Sequence, residues 1–231
     1  MPTPLYFYFI VISFLAGITV YFRKNMPLYL KILPAFLFLT IIVEFVGVWA
    51  SNHTGTSTKL YNFYIAFNFS FYLFLLREII SNPKLKKANL ITIIIYAVYA
   101  IINFFYIQGP DVWNSMSYSL GCLLVVAFCI YFFLELFRKP KLTKLTSEPA
   151  FWIVSGLLFF YACSFPFLGL NNLVQHTPLG TRMTLNTILT VLNILLYILF
   201  SIAFLCQYNF RRPRAGKIEQ ESRKFEQGIL K

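Results

Sequence analysis

Within the apolar run IIVEFVGVW, residues 41–49, a single carboxylate, Glu44, stands where an ionisable side chain is costly. Thr40, Glu44, Gly47 and Ser51 follow at spacings of four, three and four, which places them on one stripe of a helix. Tyr61, Tyr64, Asn68 and Tyr72 form a second such stripe. Asn186, Thr190, Asn193, Tyr197 and Ser201 form a third, through about four turns. A carboxyl group in these surroundings has two chemistries open to it. Protonated, it is a hydrogen-bond donor that ties helices together. Ionised, it needs water, an ion or a ligand beside it, because no Lys, Arg or His shares its apolar surroundings.

The elements that must hold these stripes follow from composition. Of 231 residues, 58% are hydrophobic, 19% aromatic and 12% charged, far from the balance of a soluble domain and expected of a membrane protein. A helix needs about 20 apolar residues to cross a hydrocarbon core. The pattern predicts spans at about residues 5–22, 28–50, 61–76, 88–107, 113–137, 149–170 and 182–210, followed by a basic tail at 211–231. The expected fold is an all-α, polytopic bundle of seven transmembrane helices. By this reading the third span is the shortest, and it reaches full length when Arg77 and Glu78 lie in the headgroup zone. Turn chemistry marks the breaks: Pro27 after Arg23-Lys24-Asn25, Gly55 after Asn52-His53-Thr54, Asn82-Pro83, Gly109-Pro110-Asp111, Lys139-Pro140, and Pro178 with Gly180.

Basic residues alternate from loop to loop. Arg23, Lys24 and Lys31 flank the first break, Arg77, Lys84, Lys86 and Lys87 the third, and Arg138, Lys139, Lys141 and Lys144 the fifth. Arg211, Arg212, Arg214, Lys217, Arg223, Lys224 and Lys231 fill the tail, whereas the other loops hold Lys59 and Arg182. Retained positive charge marks the cytoplasmic side, so the amino terminus is expected outside and the carboxyl terminus inside. The net charge of +12 is then a topological signal and a contact for anionic headgroups, and nucleic-acid binding is set aside. The leading segment MPTP carries no basic residue and no small-residue cleavage pattern follows the first span, so that span is expected to be retained as a helix rather than removed as a signal peptide.

Other chemistries find little support. Cys122, Cys129, Cys163 and Cys206 lack metal or redox spacing, and His53 and His176 are too few for a metal site, so no metal and no cofactor are expected. Intramembrane metallohydrolases need clustered acids and histidines, serine hydrolases need a nucleophile elbow, and rhomboid-like enzymes need a deep histidine. None of these is present, and no catalytic residue is assigned. The Asn52-His53-Thr54 and Asn68-Phe69-Ser70 glycosylation patterns carry no argument, since the second falls inside a helix. Glu78 beside Arg77, and Glu135 three residues before Arg138, read as interface charges. Trp49, Trp113 and Trp152 read as belt anchors.

At about 1.5 Å per residue, Glu44 lies about two turns below the outer end of its helix, Asn68 about two turns below the start of its own, and Asn186 to Asn193 within the first three turns of the last. Glu44, Thr40, Asn68, Tyr64, Asn186, Thr190, Asn193 and Tyr197 therefore form the candidate ligand-binding cluster, in competition with a role as interhelical glue. Pro166, inside the sixth span, is a candidate hinge.

A small carrier of the sugar-exporting or PQ-loop kind would show two parallel three-helix repeats. The first span, with Ser13, Gly17 and Thr19 as its small and polar residues, does not match its counterpart. In topology and in aromatic-rich stretches such as EPAFWIVSGLLFFYACSFPF, Glu148 to Phe167, the chain resembles uncharacterised bacterial seven-helix membrane proteins associated with sensory histidine-kinase systems. That resemblance implies a bacterial inner-membrane module that senses a ligand or the state of the membrane and hands the signal to a partner protein. It transfers no residue roles. The segment from Gln207 to Lys231 is too short for a kinase domain, and Ile218 and Phe225 are too sparse for a coiled-coil seam. Three readings stand: a receptor-like sensory or accessory module, a small transporter with Glu44 as its coupling group, and a structural subunit of a membrane complex.

Overall fold

The computed structural model describes residues 4–23, 26–138, 145–169 and 179–209. Lys24, the basic group Lys139, Lys141 and Lys144, His176, Pro178 and the tail at 211–231 lie outside the described residues. The described chain is all helical: α1 (Leu5–Ile18), α2 (Leu28–Thr54), α3 (Thr58–Ile79), α4 (Pro83–Ile102), α5 (Ser115–Phe137), α6 (Pro149–Leu168) and α7 (Leu179–Asn209). A π-helical turn, Asn103–Ile107, extends α4.

Local chemistry sets the boundaries. Gly55 closes α2 in the left-handed region at φ 76°, which carries no steric cost for glycine. Asn82 caps α4 by accepting a hydrogen bond from the Lys84 amide, while Pro83 takes the first helical position, where no backbone donor is needed. Pro149 opens α6 in the same way. Gly109, at φ 80°, turns the chain out of the π-helical segment.

Five helices, α2, α4, α5, α6 and α7, are long and apolar enough to cross a membrane, so this is a multi-pass membrane protein in contact with lipid. The shortest helix is α1, at 14 residues, and not α3, which extends to 22. The span expected at 61–76 is longer because it takes in Thr58 to Leu60 at one end and Arg77 to Ile79 at the other. The span expected at 5–22 ends earlier, since Thr19 to Arg23 form turns.

Packing orders the helices as a ring, α1–α2–α3–α5–α6–α7 and back to α1, with α4 laid outside against α3 and α5. The register is regular. Tyr6 of α1 meets Glu44 of α2 while Gly17 meets Pro34, so the two run antiparallel. Tyr61 with Glu44 and Phe71 with Phe36 show the same for α2 and α3. Side chains of α3 reach beyond its neighbours in the ring: Asn68 bonds Tyr161 of α6, and Tyr72 packs against Tyr161 and against Phe200 of α7. This least apolar of the long helices thereby sits inside the bundle, with Phe69, Tyr72, Leu73, Leu75 and Leu76 buried. In contrast, α4 presents Ile94, Ile95, Val98 and Ile101 outward, as a lipid-facing helix does.

Small residues permit the close crossings. A Cβ on Gly17 would sit 2.8 Å from Pro34 Cγ and 3.1 Å from Phe204, so glycine lets α1 meet α2 and α7 together. Gly121 of α5 lies directly under the Phe69 ring of α3.

Candidate functional site

The stripe Thr40–Glu44–Gly47 of α2 faces the bundle between α1 and α3. Glu44 Oε2 accepts hydrogen bonds from the Tyr6 hydroxyl at 3.0 Å and the Tyr61 hydroxyl at 3.2 Å, joining three helices at one oxygen atom. Gly47 makes room for this: a Cβ there would lie 2.5 Å from the Tyr61 hydroxyl oxygen. One turn deeper, Thr40 donates to the Phe36 carbonyl oxygen at 3.0 Å. The 2.8 Å contact between Thr40 and Tyr64 therefore has the Tyr64 phenol as donor.

The remaining candidate residues divide. Asn68 is not joined to Glu44; its amide donates to the Tyr161 hydroxyl at 2.8 Å and ties α3 to α6. Tyr197 is buried and lies within electrostatic reach of Tyr6, Glu44, Tyr64 and Tyr72, so α7 does bring one group to the interior cluster. Asn186 is exposed, Thr190 donates to the Asn186 carbonyl at 2.8 Å, and Asn193 donates to the Leu189 carbonyl at 2.9 Å. Thr190 and Asn193 thus satisfy their own helix instead of meeting Glu44, as Ser, Thr and Asn on membrane helices often do. Pro166 stands in the last turn of α6, two residues before its end at Leu168, so only the tip of that helix lies beyond it.

Tyr6 is the partner that sequence reasoning passed over. It carried the available signal, since Tyr6, Ile10, Ser13 and Gly17 follow the same four-three-four spacing, and the last three are buried. Asn62 was missed as well. Its amide donates to the carbonyls of Pro110 and Val112, at 3.1 and 2.7 Å, and its Oδ1 accepts from the Asn114 amide at 3.0 Å. Together with the Lys59–Asp111 ion pair at 3.1 Å, it fastens the α4–α5 connection to the start of α3. At the opposite end Glu135 accepts from the Ser81 amide, at 3.2 Å to each oxygen, and so braces the α3–α4 turn. Arg77 and Glu78 pair at 2.6 Å, as their adjacency suggests.

Beside Glu44, between the start of α1 and the last turns of α2, is a crevice of about 200 Å³ lined by Pro4, Phe7, Glu44, Phe45, Val48, Trp49 and Asn52. Phe45 and Trp49 are more than half exposed, so the crevice is reached from the side of the bundle. Its walls are apolar and aromatic, and Glu44 is the one acid among its lining residues. Among the described residues no group of three His, Cys, Asp or Glu side chains could hold a metal ion.

No protein-family model, curated protein or solved structure matches the chain.

Proposed function

We propose that this chain is a receptor-like sensory module of a bacterial inner membrane, binding a small ligand from the outer side and passing the event to a partner protein. In this reading all seven helices cross the bilayer, with the amino terminus outside and the basic loops and tail against anionic headgroups inside. The observation that carries it is the juxtaposition of a ligand-sized crevice with a carboxylate that is also the hydrogen-bond junction of α1, α2 and α3.

Such a junction converts occupancy into helix position. A ligand that engages Glu44 alters the charge and position of the carboxylate that Tyr6 and Tyr61 hold, and so favours arrangements in which α1 and α3 sit differently against α2. Movement of α1 reaches the other end of the bundle through Gly17, which touches Pro34 of α2 and Phe204 of α7. Helix α7 leads into the basic tail, where a partner would read the change. The role is binding, with no catalytic group assigned.

The same intramembrane carboxylate is what a small transporter would use as its coupling group, and the Tyr6–Glu44–Tyr61 junction is what a structural subunit would use as glue. Reconstitution separates the three. The receptor reading expects ligand-dependent quenching of Trp49 fluorescence in the wild type, lost in Glu44→Gln, with no net movement of solute or protons into vesicles. Coupled uptake abolished by Glu44→Gln would establish the carrier instead. A Glu44→Gln chain that retains every activity of its complex would leave the structural role.

A further inference from the structure

We infer that the crevice beside Glu44 takes a small primary amine with an aromatic body, its ammonium group on Glu44 Oε1 and its ring against Phe7, Phe45 and Trp49. This rests on the reading of the crevice as the ligand site and names what enters it.

Both hydrogen bonds that Glu44 receives from the described residues end on Oε2, and none ends on Oε1. Neither the Lys59–Asp111 nor the Arg77–Glu78 ion pair involves Glu44, and among the described residues no cation is paired with it. A carboxylate beside an apolar crevice, with one oxygen committed to two phenols and the other bonded by none of the described residues, is complementary to a ligand that brings both a hydrogen-bond donor and positive charge. The walls agree with that sign. Phe7, Phe45 and Trp49 line it, and aromatic rings of this kind attract ammonium groups and disfavour anions at their faces.

Size narrows the class. A cavity of about 150 Å³ accommodates benzene, so about 200 Å³ accepts a benzene ring with a short ammonium arm and excludes a whole lipid. Along α2 the lining runs from Glu44 to Asn52, about 12 Å at 1.5 Å per residue, which is long enough for a benzene ring with a short ammonium arm whose charge lies at Glu44. The exposure of Phe45 and Trp49 gives a lateral entrance suited to an amphiphilic amine dissolved in the outer leaflet.

The probe is 2-phenylethylammonium chloride, with 2-phenylethanol as its neutral counterpart. Both are titrated calorimetrically into the full chain in phosphatidylcholine nanodiscs, with empty discs subtracted. Saturable binding of the amine, at least about tenfold weaker for the alcohol and for Glu44→Gln, is the expected result. Glutamine keeps a carbonyl oxygen for Tyr6 and Tyr61, so this variant retains the junction while losing the charge. As a second variant, Val48→Trp fills the crevice without touching the junction and is expected to abolish amine binding. Equal affinity for amine and alcohol, with both lost in Val48→Trp, would overturn the amine class and leave the ligand site standing. Absence of saturable binding, or binding unaffected by Val48→Trp, would overturn the amine class and the ligand site together. Amine uptake into vesicles by the wild type would support the ligand class while replacing reception with transport.

Discussion

At the scale of the residue, the decisive feature is that two phenols share one oxygen of Glu44. Tyr6→Phe and Tyr61→Phe are each expected to lower stability by about 1–2 kcal/mol in detergent thermal unfolding, the range for hydrogen bonds to charged groups tempered by membrane-helix measurements. Because the donors share an acceptor, the double variant should lose measurably more or less than the two single losses combined; strict additivity would show that the junction does not act as a unit. Gly47→Ala places a methyl group against the Tyr61 hydroxyl and should reproduce the Tyr61→Phe loss, with little further change when the two are combined. The carboxylate and its four-three-four stripe were legible in the sequence because both are local. Its partners were not, since they lie 38 and 17 positions away and Tyr6 is one aromatic residue among 27 Phe and 15 Tyr. The bond from the Ser81 amide to Glu135 was out of reach for the same reason, since the two lie 54 positions apart.

At the scale of the element, hydropathy and position in the bundle run in opposite directions for α3. Its Tyr61, Asn62, Tyr64, Asn68 and Tyr72 lower its apolar character, and from sequence it reads as the shortest span. The first four of these side chains bond α2, the α4–α5 connection and α6, and Tyr72 packs against Tyr161 and Phe200. The polar residues of α7 share that helical spacing, yet Thr190 and Asn193 turn back on their own backbone. Periodicity reports a common face but not what lies opposite it, and so the α7 stripe was over-read. The contact of α3 with α5 gives a test. Gly121 carries the fully buried Phe69 ring, which leaves no room for a methyl group and little for the ring to retreat, since Tyr96, Tyr118 and Tyr161 surround it. Gly121→Ala is expected to cost about 1–3 kcal/mol by thermal unfolding, and Phe69→Leu in the same chain should recover part of the loss. Gly121→Ala without effect would mean that α3 and α5 are farther apart than this packing has them.

At the scale of the whole molecule, the proposed topology depends on α1. Its 14 residues rise about 21 Å, short of a hydrocarbon core of about 30 Å, so length alone does not carry it across. Packing supplies the argument that length withholds. From Tyr6 to Gly17, α1 runs beside α2 from Glu44 to Pro34, both within a helix that meets the requirement for crossing. The turn from Thr19 to Arg23, with Phe22 fully open to the surroundings at 86% exposure, adds apolar length beyond the last helical residue. A short span of this kind is accommodated by local thinning of the bilayer and by an arginine reaching to the headgroups, at fractions of a kcal/mol per ångström. The two ends of α1 should then lie on opposite sides. With exposed Cys163 and half-buried Cys206 changed to serine, single cysteines at Pro4, Arg23, Lys59 and Lys86 report the sides directly. A membrane-impermeant maleimide is expected to label Pro4→Cys and Lys59→Cys in intact spheroplasts, and Arg23→Cys and Lys86→Cys only after permeabilisation. Labelling of Pro4→Cys and Arg23→Cys from the same side would make α1 a surface helix. Tyr6 would then have to leave Glu44, and the junction on which the receptor reading depends would lose its first helix.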